Sequence, residues 1–100
     1  MRTKEVWDKI LPLALGTRVR FIKNRCKLEF KTQEWFKARE KNLGNEGSVD
    51  AVFPPNHMLN VQFARYFSNL KDKNIYSIHF DKPVGDYVHF YCIREELEII

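Results

Sequence analysis

The sequence predicts a mainly β protein, a small barrel of four or five short strands with one or two short helical excursions. Three observations predict it. Short apolar and aromatic runs recur with period-two alternation. Gly, Pro, Asn and Asp clusters separate them. The chain of 100 residues is also too short for more than one modest core, so residues 1–100 read as one domain. An apolar fraction of 44% with eight Phe is ample for that core, and four Gly and four Pro argue against a linker or a disordered chain.

Taken in order, residues 1–15 predict a helical extension. Thr3 suits an N-cap, Val6, Trp7, Ile10 and Leu11 share a stripe, and Pro12 stops the helix. After Gly16, "TRVRFI" places Val19 and Phe21 on one side and Arg18 and Arg20 on the other. The alternation resumes with Cys26, Leu28 and Phe30 against Arg25, Lys27, Glu29 and Lys31, and predicts a strand there too. Residues 32–45 are rich in helix formers between Thr32 and Gly44 and form a first insertion. "EGSVDAVF" alternates up to Pro54-Pro55. Residues 56–74 form a second insertion, legible as a helix from Met58 to Leu70 or as a strand through "LNVQFARYF". "IYSIHF" is a strand with Tyr76, Ile78 and Phe80 on one face. "YVHFYCI" is apolar on both faces, which predicts a central strand or one covered by an insertion. Arg94 to Leu97 fit one helical turn, and Glu98 to Ile100 a last strand able to close a barrel.

In this order the blocks "GTRVRF", "GNEGSV", "YSIHFD" and "YVHFYCIREELEII" resemble the SH3-like small barrels. The resemblance implies a five-stranded barrel. It also implies one of two kinds of role. KOW-like members bind nucleic acid or ribosomal and transcription partners. Others are accessory barrels of enzymes, such as nitrile hydratase β chains and the variable chain of ferredoxin–thioredoxin reductase. Small phage and bacterial proteins also show the pattern. The two insertions are larger than usual for the group, and no functional residue carries over from it.

Charge is concentrated. Residues 17–31 carry six basic groups and one acidic, whereas residues 32–100 carry eight basic and ten acidic. Arg18, Arg20, Lys23, Arg25, Lys27 and Lys31 are therefore the candidate contacts to phosphates or to an acidic protein surface. The acidic tail directs such a site to 18–31. Trp35, Phe36, Tyr66 and Phe67, from the two insertions, are candidates for a docking or stacking surface if exposed, and core extensions if buried.

Catalytic signatures are missing. Cys26 and Cys92 lack C-x-x-C spacing and read as thiols of a reducing compartment. "GNEG" lacks the Lys and Ser/Thr of a phosphate loop, and Asp81 and Asp86 flank a turn. His79 and His89 are expected as cross-strand neighbours, conceivable as metal ligands with Cys92 or Asp81, but in no established ligand spacing, so neither metal nor cofactor is expected. The expectation is a non-enzymatic cytoplasmic binding module without a membrane segment. Its first partner is nucleic acid or a nucleic-acid-associated complex. The alternative is a protein partner, with the chain an enzyme accessory subunit or a small inhibitor.

Overall fold

The computed structural model describes residues 12–67, 70 and 73–100. The amino-terminal helix expected up to Leu11 lies outside them. Five strands, β1 (Arg18–Phe21), β2 (Glu46–Phe53), β3 (Ile75–Phe80), β4 (His89–Ile93) and β5 (Leu97–Ile99), form one antiparallel sheet in the order β4-β3-β2-β1-β5. Helices α1 (Glu34–Lys41) and α2 (Met58–Phe63) lie in the two insertions. The fold is mainly β, as predicted. Closure is not seen among the described residues: β4 and β5 remain the two edges of the sheet. One 3-10 turn, Arg94–Glu96, joins them and sends β5 to pair with β1 instead of β4.

In β1 and β3 burial follows the alternation. Val19 and Phe21 are buried, as are Tyr76, Ile78 and Phe80. The second basic half-strand is not a strand. Leu28–Phe30 is a 3-10 turn, Leu28 is 74% exposed, and Cys26 makes only an isolated bridge to Phe67. Side chains satisfy the backbone here in place of a ladder. The Asn24 side-chain oxygen accepts from the Cys26 N–H (3.3 Å), and Glu96 accepts from the Arg25 N–H (2.7 Å).

Two apolar clusters lie against the sheet. One gathers Val19, Phe21, Val49, Ile78, Phe80 and Phe90. The other joins Ile75 and Ile93 to Cys26, Phe36, Phe67 and Leu70, so it is built from the insertions. This explains why β4 reads as apolar on both faces. It is an edge strand, not a central one; the insertions cover its second face at Ile93, while Tyr91 and His89 on the same face stay exposed. The 56–74 insertion resolves in favour of a helix, shorter than the periodicity implies. The His57 ring accepts from the Leu59 N–H (3.1 Å) and caps it, and Ala64 closes it.

Basic strand and aromatic cleft

The register of β1 determines what its arginines do. Arg20 lies directly opposite Glu46 on one side and Glu98 on the other. Its guanidinium donates to both, at 3.0 and 2.8 Å. Arg18 donates to Ser48 (2.8 Å) and forks onto both oxygens of Asp81. Two arginines thus meet three carboxylates. The Arg18 hydrogen bond holds the Asp81 carboxyl below its ordinary range. Both arginines are engaged, and the acidic tail does not lie apart from the basic strand: β5 brings Glu98 onto it.

The other basic residues behave differently. Lys23, Arg25 and Lys31 are exposed and Lys27 half-buried. None has an ion-pair partner among the described residues. They follow β1 into the segment that leaves the sheet.

That segment borders a cleft of about 280 Å³ lined by Trp35, Arg39, Phe63, Tyr66, Tyr87 and Tyr91, among others. α1 supplies Trp35 and Arg39, the turn after α2 supplies Tyr66, and β4 supplies Tyr91. Tyr66 is the centre of the aromatic set, with ring centroids 5.1 Å from Trp35, 5.2 Å from Phe30 and 5.8 Å from Phe63. Phe63 continues to Tyr91 at 4.9 Å. Two contacts hold Tyr66: the Lys27 backbone N–H donates to its carbonyl (2.8 Å), and the Arg65 guanidinium sits 5.2 Å above its ring.

The four insertion aromatics therefore divide. Trp35 and Tyr66 are half-buried at the cleft, whereas Phe36 and Phe67 are buried core residues. The sequence reading missed Tyr87, Tyr91 and Arg39. Tyr91 shares the outward parity of His89 and was in principle detectable. Arg39 carried no signal.

Arg39 holds the cleft floor. Its Nη2 donates to Glu96, its Nη1 to the Tyr91 carbonyl (2.7 Å) and its Nε to Asn24 (3.0 Å). Both partners of this ion pair are buried, Arg39 at 4% exposure and Glu96 at 0%.

Burial pushes the Cys26 thiol up to about 11, with nearby Arg39 opposing it. Burial lifts Cys92 still further, and the Glu96 charge adds to the effect. Both thiols are protonated at neutral pH and poor nucleophiles. A disulfide reagent at pH 8 is expected to modify neither cysteine in the native protein and both in urea. Rapid labelling before unfolding would contradict this burial.

Compared with protein families, curated proteins and solved structures, the chain matches none of them. No helix among the described residues is long and apolar enough to cross a membrane.

Proposed function

We propose that the chain is a non-catalytic binding module of SH3-like barrel type that takes single-stranded nucleic acid in its aromatic cleft. Strand order β4-β3-β2-β1-β5 and the one-turn link into β5 support the architecture. One observation carries the function: half-buried aromatic rings, Trp35 and Tyr66, line a cleft that the basic segment meets at Cys26, and neither Lys27 and Lys31 of that segment nor Arg65 above the Tyr66 ring has an ion-pair partner among the described residues. Aromatic faces that accept any base, next to charges that track the backbone, are the elements of single-strand binding. The proposed site is therefore the segment after β1, with Lys27 and Lys31 as phosphate contacts and Arg65 at Tyr66 as a third. Arg18 and Arg20 serve the sheet.

The test is anisotropy of a labelled oligonucleotide of about 10 nucleotides, within the usual single-strand site size. Three or four phosphate contacts predict a fall of about 20- to 50-fold in affinity between about 50 and 200 mM salt. A Lys27→Glu, Lys31→Glu variant should bind more weakly with a shallower salt slope, and Tyr66→Ala should weaken binding at every salt. Arg20→Gln should leave the slope unchanged. Absence of binding at about 100 µM protein and low salt, the weak limit of non-specific association, sinks the proposal.

A protein partner is the second reading. Met58 and Val61 support it, standing 72% and 73% exposed on α2 beside the cleft. It predicts binding that depends on Met58 and Tyr66 and ignores charge reversal at Lys27 and Lys31.

A further inference from the structure

We propose that Asp50, His79 and His89 form a site for a divalent transition-metal cation on the solvent-facing side of the sheet. The three residues sit on consecutive strands, β2, β3 and β4, and their donor atoms all lie within 4.8 Å of one another. Each position has a structural cause. His79 and His89 are directly opposed. The Phe80 N–H donates to the Val88 carbonyl (3.2 Å), which makes 80 and 88 a hydrogen-bonded pair. The next pair, 79 and 89, is then a non-hydrogen-bonded one, where side chains approach most closely. The ring centroids are 4.7 Å apart.

Asp50 arrives by a bulge. Register passes from Val49 opposite Ile78 to Ala51 opposite Ser77, so Asp50 is the extra residue on β2. Bulges re-aim a side chain, and here the carboxylate reaches His89, with Oδ2 2.7 Å from Nε2. Two imidazole nitrogens and one carboxylate oxygen suit zinc and its first-row neighbours. They do not suit calcium or magnesium, which take oxygen sets. Three such ligands leave one tetrahedral position for water. Metal–donor bonds of about 2.0–2.1 Å require donors about 3.3 Å apart. All three side chains are exposed, so rotamer changes can close that gap without moving the strands.

The ligands the sequence offered first are committed elsewhere. Asp81 is held by Arg18, and Cys92 is buried within the core. His89 also borders the cleft, but the metal site does not depend on what fills it.

The test is calorimetric titration of the full chain with zinc, with the visible spectrum of the cobalt form as a second readout. One equivalent should bind saturably. Loss of even an outer partner of a metal site weakens binding about 10- to 100-fold, so His79→Asn, His89→Asn and Asp50→Asn should each cost at least about tenfold. His57→Asn, which changes a helix cap, should leave affinity unchanged, and magnesium should not compete. The proposal is overturned by absence of saturable binding up to about 1 mM zinc, the range of millimolar affinities. It is equally overturned if any one of the three variants keeps the parent affinity while its circular dichroism shows it folded.

Discussion

Replacing Arg39 by alanine is expected to cost about 3–5 kcal/mol of folding stability, the usual consequence of removing one partner from a buried ion pair. The Glu96 carboxylate stays behind. It is fully buried and accepts from the Ile93 N–H (2.9 Å) and the Arg25 N–H (2.7 Å) as well as from Arg39. Truncation leaves that charge in the interior with its countercharge gone, and deprives the Tyr91 carbonyl and Asn24 of donors. It also removes a guanidinium packed 5.2 Å from the Phe21 ring and 5.7 Å from Phe67, in one apolar cluster and the other. A domain of this size has about 5–15 kcal/mol in all, so about a fifth or more of its stability is at risk. With a urea slope of about 1–3 kcal/mol/M, the midpoint should fall by about 2 M. Arg20→Ala is the comparison. Its two ion pairs are half-exposed and screened by solvent, so its loss should move the midpoint far less. Equal midpoints for the two variants would show that the Arg39–Glu96 pair does not hold the two clusters together. Glu96→Gln should also destabilise, because an amide offers one acceptor oxygen where three donors converge.

The same pair shows where sequence reading stops. Alternation in "TRVRF" and "CKLEFK" is equally clean, yet only the first is a strand. The difference lies in Asn24, Glu96 and Arg39, which take the backbone groups of residues 25 and 26 and the side chains around them. Glu96 is 71 residues from Arg25, so no local pattern encodes that choice. Strand positions and inward faces were legible at Val19, Phe21, Tyr76, Ile78 and Phe80, because burial there follows period two. The one-turn link at Arg94–Glu96 and the final strand were legible too. The edge position of β4 was not, because apolar residues on both faces report what lies above and below a strand and not whether both of its hydrogen-bonding edges are paired.

At the candidate site, composition located the basic segment but not which cations are available. That depends on cross-strand register, which sets Glu46 and Glu98 against Arg20 and engages it in two ion pairs. Lys27 and Lys31 escape because their segment leaves the sheet. The acidic tail was expected to stand apart from the basic strand. Instead it distributes its charges: Glu95 to Lys73, Glu96 to Arg39 and Glu98 to Arg20. Asp50 was hidden for a different reason. A strict period-two strand leaves no extra residue, so a bulge between Val49 and Ala51 is invisible until β3 is paired.

Gly47→Ala should be the most damaging single-methyl change. In sequence Gly44 and Gly47 look alike, two turn glycines in "GNEG". In the fold they do different work. Gly44 has φ 91° and open space around the position of an added Cβ. Alanine there meets only the cost of the left-handed conformation, about 1–2 kcal/mol. Gly47 sits between β1 and β3, opposite Val19 and Phe80. An added Cβ would lie 2.4 Å from the His79 carbonyl oxygen and 2.9 Å from the Phe80 Cα. Both are backbone atoms of a neighbouring strand, so no side-chain rotation relieves the overlap. The two strands must separate, and their ladder runs from Gly47 to Phe53 with the apolar cluster beneath it. Forced overpacking costs about 1–3 kcal/mol where side chains can yield, and here the backbone must move, so a loss at or above the upper figure is expected. Thermal or urea unfolding of the two alanine variants measures the contrast. If Gly47→Ala is no less stable than Gly44→Ala, then β2 and β3 do not approach as closely as described, and the placement of His79 beside Asp50 falls with it.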